Sequence, residues 1–376
     1  MFHVKQSPLR HLEVSLADLD SSSLKRVRPA AQAANAVTFC SNDYLGLASI
    51  VQEVRGAAGS AASRLISGER LEHVALEQAL AKWLGSESAL AFSSGYAANV
   101  GLISALAARG DLIVSDAMNH ASIIDGARLS RAEIAITPHL DVAAVETALA
   151  RHPSGHRWVV TEGYFSMDAD SPDLPALRAI CDRFDAALLV DEAHSFGVLG
   201  PDGRGVAAEQ GIVPDAVIGT FGKSFGAAGA FVAGSHVLIE WLWNRARSFV
   251  FSTGLSPILA QCALRGLESA LARPELRSRT AGVAHTLRST LAELGAPTAG
   301  YGHVVPVILG NPEAALKASA ELATLGIHVQ AIRPPTVAPG TSRLRMTASA
   351  AHTEADVARA VAALRVVFGQ EVRDSS

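Results

Sequence analysis

Short apolar runs that recur along the first two thirds of this chain, each followed by an amphipathic stretch, limit its fold more than any other feature. They lie at 37–40, 88–92, 111–115, 133–137, 157–162, 186–190, 216–219 and 229–233. Helical periodicity between them predicts helices over 70–84, 96–108, 120–130, 141–151 and 173–184. Apolar strands without polar alternation must be covered on both faces, which means a mainly parallel sheet between helical layers. In such sheets a ligand sits beyond the carboxyl ends of the strands. From about 256 the texture changes. Helical patterns over 256–272 and 275–294 lead to a strand at 303–309, a helix at 312–325, a strand at 343–347 and a helix at 353–368. This predicts three parts: an N-terminal helical arm (1–36), a large α/β domain (37–260) and a smaller C-terminal α+β domain (261–376).

Several function classes are excluded early. With 32 basic and 36 acidic residues the net charge is −4, so nucleic acid is not an expected partner. No run approaches about 18 uninterrupted apolar residues, so no membrane span is expected. The first residues do not form an apolar signal core. Cys40, Cys181 and Cys262 are few, odd in number and widely spaced, which predicts reduced thiols in a cytoplasmic protein and no metal site.

Chemistry gathers at the strand ends. Asp191 and His194 lie in Asp-Glu-Ala-His, directly after Ala186-Ala187-Leu188-Leu189-Val190. Thr220 and Lys223 lie in Thr-Phe-Gly-Lys-Ser-Phe-Gly, after Ala216-Val217-Ile218-Gly219. Two strand ends therefore present a carboxylate, an imidazole, a hydroxyl and an amine. Pyridoxal phosphate (PLP) requires such a set: an amine for its aldehyde, an acid for its ring nitrogen, donors for its phosphate and phenolate. Lys223 sits between Gly222 and Gly226, in a turn that lets backbone approach a ligand. A desolvated lysine there can form a Schiff base. Asp191 would keep the ring nitrogen protonated, and His194 would bond the phenolic oxygen or the substrate.

Further candidates follow the other strands. Phe92-Ser93-Ser94-Gly95-Tyr96-Ala97-Ala98-Asn99 reads as strand, turn and helix start, so Gly95 and Tyr96 are phosphate candidates at a helix N-terminus. A plain capping turn fits the same residues. His120, after Ser115-Asp116-Ala117-Met118-Asn119, could stack on the pyridine face. Ser166 could donate a hydrogen bond near the cofactor or cap a turn. In the C-terminal part, Arg343 and Arg345 share one face of a strand, and one of them could hold a carboxylate bidentately.

Two decoys fail. Gly222-Lys223-Ser224 resembles the tail of a P-loop, but the position five residues before Gly222 is Val217, and the acidic motif precedes the lysine. No Gly-x-Gly-x-x-Gly follows the first strand, so a dinucleotide site is not expected.

Together these motifs resemble the α-oxoamine synthases, which are fold-type I PLP-dependent transferases. The shared segments are Ser41-Asn42-Asp43-Tyr44-Leu45-Gly46-Leu47, Ser63-Arg64-Leu65-Ile66-Ser67-Gly68, Asn119-His120-Ala121-Ser122, Glu162 to Asp168, Asp191 to His194, Thr220 to Lys223 and Ser252-Thr253. The resemblance runs from about residue 37 to the end. It implies a mainly parallel central sheet of the seven-stranded type and a homodimer with a shared active site. Lys223 would be the Schiff-base lysine and His120 the stacking residue, with Gly95, Tyr96, Ser166, Asp191, His194 and Thr220 around the cofactor. Thr253 would reach the phosphate across the dimer interface. Arg345 would hold the substrate carboxylate, Thr336 and Asn42 would contact substrate, and Lys25 or Arg26, near Arg28, would meet the acyl group. The tail Ala331-Ile332-Arg333-Pro334-Pro335-Thr336-Val337 is most similar to members that condense L-alanine with a pimeloyl thioester of coenzyme A or acyl carrier protein, in biotin biosynthesis. Serine palmitoyltransferase-like and glycine C-acetyltransferase-like activities, or transamination on the same fold, remain alternatives. One departure is plain: the family's Met-Asp-Gly is Met167-Asp168-Ala169 here.

Overall fold

The computed structural model describes residues 9–26, 36–49, 54–152 and 154–369. Arg28 lies outside the described residues, as do parts of the N-terminal arm. Two compact units emerge. The larger comprises Asn42–Gly282 with Ser349–Ala351; the smaller comprises the described residues up to Ser41, then Val283–Ala348 and the residues from His352. The chain passes from one unit to the other inside the helix Glu275–Glu293. Sequence texture changes earlier because helix Pro257–Ala272, though it follows the last central strand, packs against helix Leu71–Leu84 in the larger unit.

The first strand, β1 (Val37–Thr38), joins the smaller unit. The sequence placed it at the head of the parallel alternation; its apolar character is right for a strand, but its partner is remote in sequence. The central sheet of the larger unit has seven strands: β2 (Ser88–Phe92), β3 (Leu112–Asp116), β4 (Glu133–Thr137), β5 (Arg157–Glu162), β6 (Ala186–Asp191), β7 (Ala216–Thr220) and β8 (Ala230–Gly234). Their order is β2-β8-β7-β6-β5-β3-β4, and only β8 runs against its neighbours.

Strand alternation assigns each face its core. Leu90 and Phe92 point to one side, with Ile113, Val160, Leu189, Ile218 and Val232, where they meet Leu102 and Ile103 of helix Gly95–Leu106 and Ile123 of helix Ala121–Ser130. Ala89 and Ala91 point to the other, with Phe231 and Ala233, and meet Leu76, Leu80 and Ala263. Both faces are dry, which is why these strands read as continuous apolar runs.

The smaller unit holds an antiparallel sheet built from β9 (Val304–Gly310), β11 (Gln330–Ile332) and β12 (Ser342–Thr347), in the order β11-β12-β9. Strand β10 (Ile327–His328) pairs in parallel with β1. Leu287, Leu291, Leu322, Leu344 and Leu364 fill its core. The sequence did not announce β10, β11 or the helix His236–Arg245, which follows β8 after a single residue. Among the described residues no helix is long and apolar enough to cross a membrane.

Candidate active site at the carboxyl edge of the central sheet

Register places the functional strand ends side by side. Glu162 on β5 is opposite Asp191 on β6, and Asp191 is opposite Ile218 on β7. Thr220 and Phe92 both pair with Ala230 of β8, so the turn after β2 opens at the same edge as the turn that carries Lys223.

Asp191 is buried and its carboxylate is held from two sides. Asn99 Nδ2 donates to Oδ2 at 2.6 Å and Ala193 N donates to Oδ1 at 2.9 Å. The same Asn99 amide donates to Ser122 Oγ at 3.0 Å, and Ser122 Oγ lies 2.7 Å from His120 Nδ1. A hydrogen-bonded chain therefore runs from Asp191 through Asn99 and Ser122 to His120. It exists because helices Gly95–Leu106 and Ala121–Ser130 approach closely at Gly126, where a Cβ would come within 3.1 Å of Asn99 O.

His120 caps helix Ala121–Ser130, and its Nδ1 also accepts from Ser122 N at 3.2 Å. With Nδ1 accepting, the neutral ring carries its proton on Nε2. Burial of the ring lowers its pKa from the ordinary histidine value; Asp191 opposes that shift and the Lys223 charge reinforces it. The residue as a whole remains open to solvent on the side of the sheet edge. His194 is fixed by its Nδ1 contact with Tyr44 Oη at 2.7 Å, and Tyr44 Oη donates to Asn42 Oδ1 at 3.0 Å. Glu162, which the sequence offered only as the first residue of a shared segment and not as a site candidate, is wholly enclosed. Burial first, and then the neighbouring Asp191 charge, push its carboxyl well above the usual carboxylate range, against the pull of Lys223.

Lys223 is half-buried in a tight loop closed by Gly226 N donating to Lys223 O at 3.1 Å and Ala227 N donating to Phe221 O at 2.9 Å. Of its flanking glycines only Gly226 is sterically required: φ is +63° and a Cβ would come 2.4 Å from the backbone of Ala48, whereas at Gly222 a Cβ would make ordinary contacts. Thr220 Oγ1 donates to Gly229 O at 3.0 Å and accepts from Gly222 N at 3.2 Å.

The residues fit PLP on two observations. Ser94 Oγ caps its helix by accepting from Ala97 N, and among the described residues the N–H groups of Gly95 and Tyr96 take no acceptor. These N–H groups at the start of a three-turn helix, 3.9 Å from Thr220 at the Gly95 Cβ position, suit a phosphate. Asn99 Oδ1, next to Asp191, is buried with no hydrogen-bond partner, as expected beside a pocket awaiting a donor.

Not every sequence candidate gathers here. Tyr96 is exposed and its hydroxyl donates to Asp125. Ser166 is half-buried in the loop after β5, and Thr253 is exposed in a loop after helix Arg247–Val250. In the smaller unit Arg26 Nη2 donates to Thr336 Oγ1 at 3.0 Å, so two predicted substrate contacts do meet. Lys25 is 3.5 Å from Asp20. Arg343 and Arg345 are both buried on β12.

Residues 34–364 match the family described as aminotransferase class I and II. The chain belongs to that family, and it is a fold-type I PLP-dependent enzyme. Among curated proteins, it is 47% identical to an 8-amino-7-oxononanoate synthase of Polaromonas sp., covering 87% of this chain and 86% of the relative. It is also 47% identical to an 8-amino-7-oxononanoate synthase of Geobacter sulfurreducens, covering 90% of each. Of solved structures, a serine palmitoyltransferase from S. paucimobilis with bound PLP superposes with a TM-score of 0.88 at 31% identity over 96% of this chain and 98% of that one. The 8-amino-7-oxononanoate synthase of Francisella tularensis superposes with a TM-score of 0.76 at 26% identity, over 91% of this chain and 99% of that one.

Proposed function

We propose that the chain condenses L-alanine with a pimeloyl thioester, of coenzyme A or acyl carrier protein, giving 8-amino-7-oxononanoate, carbon dioxide and free thiol in biotin biosynthesis. Its relatives' shared activity supports this reading, and the observation that carries it at the site is the hydrogen-bonded chain from Asp191 to His120 at the sheet edge where Lys223 lies. Bound PLP supplies an aldehyde for the amino group and an electron sink for the carbanion at Cα. Lys223 would anchor the aldehyde through its amine and, once displaced by the substrate amine, take the Cα proton. Asp191, braced by Asn99, would keep the ring nitrogen charged. Gly95, Tyr96 and Thr220 would hold the phosphate, and Thr253 would serve the partner's phosphate in a homodimer. His194 would meet the phenolic oxygen, oriented by Tyr44.

Neutral His120, with its proton on Nε2, would cover the ring face and could donate to the thioester oxygen as the thiol leaves. Arg345 is the proposed carboxylate partner, and Thr336, Asn42, Lys25 and Arg26 the proposed acyl-substrate contacts. Bond formation between the alanine Cα and the acyl carbonyl carbon would break the C–S bond and release the thiol, and loss of the alanine carboxyl as carbon dioxide with protonation at Cα would complete the balance. A cytoplasmic site of action agrees with the chemistry of these substrates.

A matrix of amino acids against acyl thioesters, scored by thiol release, tests the reading. L-alanine with the pimeloyl thioester should give the highest kcat/KM. Amino-group exchange with an oxo acid and no thiol release would instead identify a transaminase. A preference for serine with a long acyl chain would point to the serine palmitoyltransferase-like alternative.

A further inference from the structure

Two loops bring His120 and Ser166 to the sheet edge: Asn119 ties the root of the first to β5 through Val160 O at 2.8 Å, and Gly163 N ties the root of the second to Asp191 O at 2.9 Å, but neither bond reaches the far end of the second loop. The first leaves β3 at Asp116, and the second runs from Gly163 to Asp170 after β5. Between them stands His139, in the loop after β4. Its Nδ1 lies 2.9 Å from Asp116 Oδ1, and its Nε2 lies 3.2 Å from Asp170 Oδ2. Phe165 packs edge-on against the imidazole, with ring centroids 4.5 Å apart at 89°. Burial works against a charge on His139, but the bonds to the two carboxylates outweigh it and push the imidazolium up to about 10.

Asp116 is a hub. Its Oδ1 also accepts from Met118 N at 2.7 Å and its Oδ2 from Leu140 N at 2.9 Å. Two residues past Met118 stands His120. On the other side, Phe165 N donates to Asp170 O and Ala169 N donates to Phe165 O, each at 2.9 Å, closing a turn that contains Ser166. Ala169 in that turn is fully buried and left-handed, with φ +58°. An L-residue with a Cβ disfavours that conformation, and glycine does not. The turn's own two bonds oppose that preference, and the grip on Asp170 adds to them.

We propose that His139 is a positioning residue for the active site: by bridging Asp116 and Asp170 it locks the His120 loop to the Ser166 loop and holds the Ala169 turn left-handed. The proposal deepens the PLP reading and rests on it for its functional consequence. It also makes a claim specific to this chain, since a glycine at 169 would need no such clamp.

The test uses His139→Gln, Ala169→Gly and the double variant, with hydrogen exchange measured on the cofactor-free protein and PLP affinity measured by titration. In His139→Gln, exchange at 163–170 should rise at least tenfold while the β6 and β7 amides keep their protection, and the PLP Kd should rise about tenfold. Adding Ala169→Gly should recover at least threefold of the PLP affinity. Should His139→Gln not fold, Asp170→Asn opens the same bridge from the other end and is read the same way. Unchanged exchange at 163–170, or wild-type PLP affinity with only a lowered Tm, would overturn the proposal; so would a double variant no better than His139→Gln. A wild-type protein that binds no PLP would defeat the functional reading, while the exchange experiment would still judge the clamp.

Discussion

The two edges of the central sheet differ in kind. At the carboxyl edge Asp191, Asn99, Ser122 and His120 bond to one another, and Glu162 lies beside them in a nearly solvent-free setting. At the opposite edge lies a cavity of about 750 Å³, lined mainly by apolar residues such as Leu106, Trp158, Leu189, Val217, Val237 and Trp241, with Glu87, His156 and Asp215 in its wall. Volume favours the second edge and chemistry the first. The cavity can accept a molecule, but the Glu87, His156 and Asp215 in its wall do not bond to one another as the groups of the carboxyl edge do. At the carboxyl edge the polar groups already hold each other in place, and preorganisation of that kind is what catalysis needs.

The strongest way to break this contrast is at Lys223. Lys223→Ala removes the proposed anchor of the cofactor and the proposed proton acceptor. Turnover should fall by at least about 10²–10⁴-fold, and the visible absorption of protein-bound PLP should change with it. A variant that keeps both would move the chemistry elsewhere. Next in size is Asn99→Ala, which takes a donor from a buried carboxylate and cuts the link to His120. A hydrogen bond to a charged group is worth about 1.5–3 kcal/mol, so PLP affinity should drop roughly tenfold to a hundredfold. Affinity within twofold of wild type, measured by titration, would show that Asp191 does not depend on the chain of bonds.

Acid tests the same network more gently. The pKa of His120 is depressed in the folded protein, mainly by burial. As pH falls below about 6.5, the unfolded chain takes up this proton first, so native stability contributed by the neutral ring is lost on the acid side. The denaturation midpoint of wild type should therefore decline below that pH more steeply than that of His120→Asn. Parallel declines would mean that the imidazole does not titrate as the network requires.

Much of the carboxyl edge was legible because it is punctuated by strands. A run such as Ala186–Val190 has one reading, and whatever follows it must stand at a sheet edge. Asn99 and Ser122 were legible only as members of motifs. Their roles depend on a bond between residues 23 apart on different helices and on another between residues 92 apart. Nothing local separates them from ordinary helix polar residues. The left-handed Ala169 was hidden for a related reason: alanine signals no such conformation, and only its surroundings impose it. Strand β1 shows the converse, since its type followed from Val37-Thr38 while its partner, Ile327-His328, lies far along the chain. The cavity left no mark in sequence, because its walls come from separate segments between Leu84 and Trp241 that only the fold brings together.

That cavity supplies the smallest and sharpest prediction. Val237 stands at its rim, in the first turn of helix His236–Arg245, and is 76% exposed. Val237→Trp would place an indole across apolar lining without displacing any group of the carboxyl edge. Substitutions at such positions usually change stability by no more than about 0.5 kcal/mol, which corresponds to a Tm shift of about 1–2 °C. Turnover should stay within twofold, since the strands between the two edges are packed on both faces and the Asp191 network is closed on itself. A tenfold fall in kcat with an unchanged Tm would show that filling one edge reorganises the other, and the separation between open volume and chemistry would then not hold in this sheet.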